Sequence, residues 1–323
     1  MNASEFLKRR PGYTICFLGQ QGSGKTLQAA YFPKSFWITT DPTGLQTITE
    51  SANPDIAKLA ANIVEVCPLN GVPLDEVFDQ ASTAETSVYG ALAIAGEMAQ
   101  QGRIKTLVFD NLTYFVKMLE SHIKLDEDPN PQAAWGKLGR QMFEVVLAEM
   151  LPFATRYGCN VVIPIHLQRE NEAAVKGAKA SLSSREMQQG TGRMKRHVNL
   201  ESDLSPAILG SFRDVVAGMP SAMIYLDNPP TGEGGASQYL ALCDRQFYPP
   251  WDTEVQAKNR FSLPSLLDLT GKSFYAWLLD ASKKAAATRQ GIDEAKAKWV
   301  ADQAAKAALK DSSAASAATD ATK

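Results

Sequence analysis

Short β-rich runs alternate with segments of helical period along most of the chain. Residues 13–18 form the first run and end at Gly19. Residues 35–40 form a second, stopped by Asp41-Pro42. Residues 105–110 form a third and 159–165 a fourth. Apolar or β-branched stretches of this length, bounded by Gly, Pro and Asp, predict strands. Pro164 is awkward in the fourth, because proline cannot donate to a strand ladder, and predicts an irregularity at the strand end. Between these runs, Thr26 to Tyr31 reads as a helix closed by Pro33, and residues 84–101 as a small-residue helix closed by Gly102. Leu112, Phe115, Val116, Leu119 and Ile123 share one helical face, and Trp135, Leu138, Met142, Val145 and Val146 repeat the pattern in a helix running to about Tyr157. Residues 51–80 are mixed and punctuated by Pro54, Pro68 and Pro73. Further strands are predicted at 222–226 and 238–242 across a Pro/Gly-rich turn, and a short helix at 273–279. Strands alternating with helices argue for an α/β fold, a mostly parallel sheet flanked by helices, with antiparallel strands toward the C-terminus.

Composition narrows the classes. The 323 residues are 45% hydrophobic and 21% charged, a globular balance that excludes collagen-like, disordered and disulfide-scaffold chains. The formal charge of −2 excludes a uniformly basic nucleic-acid binder but not a local basic patch. The cysteines (Cys16, Cys67, Cys159, Cys243) show no C-x-x-C pair, and His122, His166 and His197 do not cluster, which argues against a zinc site. No apolar run approaches a membrane span and the N-terminus lacks a secretory pattern, so a cytoplasmic protein that does not engage membrane is expected. The last 43 residues hold 16 alanines. Composition divides the chain into an arm at 1–10, a main domain at 11–280, an Ala-rich helical extension at 281–310 whose Ile292, Trp299 and Val300 could seat one face, and a tail at 311–323 too poor in apolar side chains to order.

Gly19-Gln20-Gln21-Gly22-Ser23-Gly24-Lys25-Thr26, followed by Leu27, fits G-x-x-x-x-G-K-[ST] between a predicted strand and a predicted helix. Glycines let backbone N–H groups turn inward around phosphate, and the helix aims its positive end at the same place. Lys25 would reach the β- and γ-phosphates of ATP, and the Thr26 hydroxyl would ligate Mg²⁺. Asp110, ending the third strand, is the candidate second Mg²⁺ holder; a helix-capping Asp is the alternative. Asn111 follows it where an AAA+ ATPase normally carries Glu, so the base must lie elsewhere, and Asp41 is the candidate. No N-K-x-D occurs, so the usual signature of GTP specificity is missing.

These features resemble the RecA/DnaB/RadA branch of P-loop ATPases, and more narrowly the phage-encoded RecA-like ATPases that include the Sak-type single-strand annealing proteins. The resemblance spans about residues 11–280. It rests on the phosphate loop, Thr39-Thr40-Asp41, residues 107–111 (L-V-F-D-N), residues 161–168 (V-V-I-P-I-H-L-Q) and residues 257–261 (A-K-N-R-F). It implies a RecA-like core. In that family the strand after the P-loop helix ends in a catalytic Glu. Asp41 is one methylene shorter, which puts fast hydrolysis in doubt, and an Asp-Pro turn is its other reading. His166 takes the place of the polar residue that senses the γ-phosphate, with Gln168 as alternate. Lys258 and Arg260 match cations that project toward the nucleotide of a neighbouring subunit, which implies a homo-oligomer, ring or filament, with nucleotide at its interfaces. A solvated basic turn is the other reading.

Seven Lys/Arg against three Glu between residues 169 and 196 make a basic segment after the fourth strand, where RecA-like proteins place a DNA-binding loop. Lys176, Lys179, Arg185, Arg193, Lys195 and Arg196 are the candidate contacts to single-stranded DNA. The region has no aromatic residue to stack bases, and a solvated charged loop is the alternative. An ATPase acting on DNA in recombination or annealing, with a single-strand-binding protein as a partner, is one expectation. An ATP-dependent loader or assembly switch acting on a protein is the other.

Overall fold

The structure, a computed structural model, describes residues 12–123, 131–169, 204–206, 220–229, 238–248 and 253–320. The six basic candidates between Lys176 and Arg196 lie outside these residues. Contacts divide the chain at Tyr275 into a main unit and a second unit, Ala276–Lys323.

The main unit is built on one large sheet. Its strands are β1 (Thr14–Gly19), β2 (Ser35–Thr39), β3 (Ile63–Pro68), β4 (Thr106–Asp110), β5 (Asn160–Arg169), β6 (Leu204–Pro206), β7 (Ala222–Asp227) and β8 (Leu240–Leu242), then β11 (Lys258–Asn259) and β12 (Leu266–Asp268). Between the last two pairs, β9 (Arg245–Tyr248) and β10 (Thr253–Gln256) form a separate antiparallel ribbon. The order is β12-β8-β7-β1-β5-β4-β2-β3, with β11 on β7 and β6 on β5. β1 runs parallel to both β5 and β7, and β4 parallel to β2 and β5, while β8, β11 and β12 pair antiparallel. The expected α/β class, mostly parallel with C-terminal antiparallel strands, is what the chain adopts.

β1, β2 and β4 are buried at every position, as strands covered on both faces must be. Period-two alternation sends their side chains to two cores. Cys16, Leu18, Ile38, Phe109 and Ile163 join the larger one, beneath α5 (Val88–Gln100) and α6 (Leu112–Ile123). Phe17 faces the other way, meeting Phe32 and Phe274 at ring-centroid distances of 6.4 and 5.3 Å. The α6 face read from the sequence is confirmed: Leu112, Phe115, Val116 and Leu119 are buried. The next predicted helix is one helical run in three parts: α7 (Pro131–Met142), a π-wound stretch Phe143–Met150, and α8 (Leu151–Tyr157).

Pro164 differs from its expected place at a strand end. It lies inside β5, level with Phe17 of β1. The reason is which way each N–H points. Val161 N–H donates to Tyr13 O on the β1 side, and Asn160 N–H to Lys105 O on the β4 side. By alternation Pro164 faces the β4 side, but β4 pairing stops at Val108–Val162. The donor that proline lacks is therefore never needed, and the next donor on that side, His166 N–H, goes to Thr113 Oγ1 of α6 at 2.9 Å. β4 and β5 part at their C-terminal ends, and a cleft opens between them.

The segment 51–80, read as mixed, contains α3 (Pro54–Ala57), a 3₁₀ turn, the edge strand β3 and α4 (Leu74–Val77). The short C-terminal helix expected at 273–279 is instead the start of α9, Phe274–Asp320, which continues through residues 311–320 where composition predicts no order. Alanine is the strongest helix former and needs no burial to be helical. Trp299 and Val300, expected to seat one face of this helix, are exposed.

Candidate active site

The loop after β1 turns tightly enough for its own carbonyls to face inward. Gly22 and Gly24 have φ of +80° and +87°, which only glycine adopts freely. Gly24 caps α1 (Lys25–Ala30) in the left-handed conformation. Lys25 is 5% exposed, and its Nζ donates to Gly19 O at 2.9 Å and Gln20 O at 2.7 Å. Thr26 Oγ1 donates to Asp110 Oδ2 at 3.0 Å, joining the P-loop helix to the end of β4. Asp41 leaves the end of β2 and caps α2 (Pro42–Thr49): its Oδ1 accepts the Thr43 N–H at 3.1 Å and also the Thr43 hydroxyl. The Asp-Pro turn reading and a place in the site are thus both satisfied, because the cap residue borders the cleft.

Gln21, Gly22, Gly24, Lys25, Thr26, Leu27, Asp41, Asp110 and His166 line one cavity of about 340 Å³ at the C-terminal ends of the parallel strands, where open α/β sheets bind ligands. A roomier cavity of about 490 Å³ is bordered by Tyr89, Leu92, Phe153 and Tyr157, and the loop after β1 does not reach it.

The charges in this cleft hold one another in check. Burial pushes the Asp110 carboxyl up to about 7, the Thr26 hydroxyl opposes this, Asp41 adds to it and Lys25 opposes it. Burial also pulls the Lys25 ammonium down to about 8 against the attraction of Asp110. His166 falls to about 4, through burial first, then Lys25 and Lys117, with Asp41 opposing. A desolvated cation and a protonatable carboxylate are what phosphates and a divalent cation would each relieve.

The residues fit that pair. Thr26 and Asp110 offer two hard oxygens, and Gly44 leaves the space above them open: a Cβ there would lie 3.3 Å from Thr26 Oγ1 and 3.4 Å from Asp110 Oδ2. Residues 11–232, more than half of the chain, match the AAA domain family. The chain belongs to the AAA-type P-loop ATPases. A search of curated proteins finds no match. The AAA domain takes in β1 through β7, and with them the whole phosphate-binding loop, Asp41, Asp110 and His166, and it makes the chain a nucleotide-binding protein.

Of the residues predicted to act in catalysis, Lys258 and Arg260 do not line the cleft; the side chain of Gln168, the alternate to His166, lies outside the described residues. Lys258 and Asn259 pair with Met223 and Ala222 in the first half of β7, level with Cys16 and Ile15 of β1. Gly19 is three and four residues further along β1, roughly 10 and 13 Å away at about 3.3 Å per residue. Arg260 is exposed beyond that far end. The corner there is well defined: Asn259 Nδ2 donates to Leu263 O, Phe261 N–H donates to Asn259 Oδ1, and Phe261 packs edge-on against Tyr13. Sequence reasoning missed Thr43, Gly44, Thr47, Tyr114 and Tyr239 as cleft residues and gave Asn111 no role. For the first three the signal was Asp41-Pro42, which marks a helix start as much as a strand stop.

Proposed function

We propose that the chain hydrolyses ATP with Mg²⁺ and acts on single-stranded DNA as a homo-oligomer, in the manner of phage-encoded RecA-like recombination and annealing proteins. The observation that carries the reading is the meeting of Lys25, Thr26, Asp41, Asp110 and His166 on one cleft. Lys25 exchanges the loop carbonyls for the β- and γ-phosphates. Thr26 and Asp110 hold the cation, which when bound neutralises charge developing in phosphoryl transfer. Asp41, with one oxygen engaged by Thr43, has the other to orient and deprotonate the attacking water. His166, where β5 has parted from β4, faces the terminal phosphate.

The DNA part of the reading is supported by sequence. Residues 169–196, which carry seven Lys/Arg against three Glu, begin at the last residue of β5, three residues after His166. A cationic segment tethered to the nucleotide site suits backbone contacts without sequence readout. Gel shifts with single- and double-stranded DNA, with and without ATP, test it. Neutralising Arg193, Lys195 and Arg196 together should weaken single-strand binding and reduce the log–log salt slope by about 0.7 per lost phosphate contact. An unchanged slope removes DNA from the proposal and leaves a partner protein as the target of the nucleotide state.

A further inference from the structure

Asn111 belongs to no phosphate-binding motif, yet it is among the most buried polar side chains of the cleft, 3% exposed. Its backbone is clamped by one hydroxyl: the Asn111 N–H donates to Thr40 Oγ1 at 3.1 Å, and the same hydroxyl donates to Asn111 O at 3.0 Å. Its side-chain Oδ1 accepts the Tyr114 N–H at 2.9 Å, in the first turn of α6. That contact decides which way the amide points, since a backbone N–H requires an acceptor. Nδ2 therefore faces the other way, and it lies 3.3 Å from His166 Nε2.

An amide nitrogen only donates, so Nε2 must present its lone pair. A neutral imidazole with an accepting Nε2 carries its proton on Nδ1. The ring has little freedom to choose otherwise. Its backbone N–H is held by Thr113 Oγ1, and its face meets Tyr114 edge-on at 5.5 Å. Of the charged groups around it, Lys25 and Lys117 oppose protonation and Asp41 favours it, with burial the largest influence and also opposed to charge.

We propose that Asn111 is a positioning residue that holds His166 as its neutral Nδ1–H tautomer, so that the ring meets the terminal phosphate as an uncharged hydrogen-bond donor. The role rests on the reading of His166 given above. It explains how a histidine can stand in the same cleft as Lys25 without adding a second cation to a site whose lysine is already desolvated. It also explains why the residue after Asp110 is an amide: a carboxylate here would accept from the ring rather than donate to it, and would draw a proton onto Nε2.

The test is long-range ¹H–¹⁵N NMR of the full chain labelled at its three histidines, with His166 assigned by its loss in His166→Ala. In the nucleotide-free wild type, His166 should show a protonated Nδ1 and a bare Nε2; a protonated Nε2 overturns the proposal without any variant. Asn111→Asp keeps an oxygen for the Tyr114 N–H and should move the proton to Nε2 or raise the ring's pKa. Asn111→Ser keeps a helix-capping oxygen and, having lost the amide donor, should show both tautomers. Turnover in Asn111→Asp should fall roughly tenfold or more, as for loss of a transition-state donor, with ADP affinity little changed. If both variants keep the wild-type tautomer and pKa, the proposal fails. If the tautomer moves as expected but His166 resonances are the same with ADP and a non-hydrolysable ATP analogue, Asn111 does position the ring and it is the phosphate-facing reading of His166 that falls.

Discussion

Gly44→Ala should separate stability from metal binding in opposite directions. Gly44 lies in the first turn of α2, and an added Cβ would lie 3.3 Å from Thr26 Oγ1, 3.4 Å from Thr26 Cγ2 and 3.4 Å from Asp110 Oδ2. In the nucleotide-free chain this is tight but tolerable contact with side-chain atoms. Replacing a helical glycine by alanine favours the fold by up to about 1 kcal/mol. A small net gain, about 0.5 kcal/mol, is expected after the crowding is subtracted. The cation experiences the opposite effect. Mg²⁺ demands near-octahedral oxygens at about 2.1 Å and keeps several of its waters. A methyl group against both Thr26 Oγ1 and Asp110 Oδ2 occupies the space one of those waters needs. Leaving one strong polar contact unmade costs on the order of 1–3 kcal/mol, which is roughly a tenfold to hundredfold loss in apparent Mg²⁺ affinity. Urea denaturation of the nucleotide-free protein and a Mg²⁺ titration of ATP turnover read the two effects separately. A folded Gly44→Ala protein with the wild-type Mg²⁺ midpoint would refute the reasoning, because the glycine would then not border the cation.

Asp110→Asn should make the nucleotide-free protein more stable at pH 8. A carboxyl raised from 3.8 to about 7 contributes stability that is complete below 3.8 and lost as pH rises through about 7; the gap over wild type should be on the order of a few kcal/mol at pH 8 and close below pH 4, as urea midpoints across that range would show. Asp41→Asn, which keeps the α2 cap, should slow turnover and leave ATP affinity largely intact; lost affinity with an unchanged rate would remove Asp41 as the base. Arg260→Ala should bind ATP yet hydrolyse it poorly, and mixing it with Lys25→Ala should restore turnover in co-assembled oligomers, since some interfaces then pair an intact phosphate loop with an intact Arg260. Co-assembled mixtures that show no rescue would return residues 258–260 to a structural corner.

Much of this site is legible in the sequence, for identifiable reasons. The phosphate loop is contiguous, so its spacing is its geometry. Asp110 and His166 could be found because each directly follows a run of buried apolar strand residues, 107–109 in β4 and 161–165 in β5, and such runs are conspicuous. β3 escaped because it is an edge strand. Val64 and Val66 are 42% and 37% exposed and Glu65 lies between them, so no continuous apolar run marks it. Gly44, Asn111 and Tyr239 escaped for a different reason. Each owes its place to register between segments distant in the chain. Gly44 matters only because α2 crosses the Thr26–Asp110 contact. Tyr239 matters only because its ring comes within 3.1 Å of where a Gly24 Cβ would be. Asn111 matters only because β5 leaves β4 at Pro164 and brings His166 over it. Local patterns carry none of this.

The register of β11 also constrains how Lys258 and Arg260 can act. The strand runs antiparallel to β7, so the chain leaves Asn259 heading away from the phosphate loop, from a point already level with Ile15. An extended arginine side chain spans about two residues of strand, on the order of 7 Å, about half of the roughly 13 Å separating that level from Gly19. The corner is fastened by the two bonds of Asn259 and by Phe261 against Tyr13, so it cannot swing to the other end without dismantling the start of β1. Arg260 is therefore unable to complete the nucleotide site of its own chain. Either it serves a second copy, whose phosphate loop must then approach the N-terminal ends of these strands, or it has no part in hydrolysis. Stacking of copies with one strand-end facing the opposite strand-end of the next is head-to-tail assembly, which closes into a ring or extends as a filament, and the rescue experiment on mixed variants tests that arrangement directly.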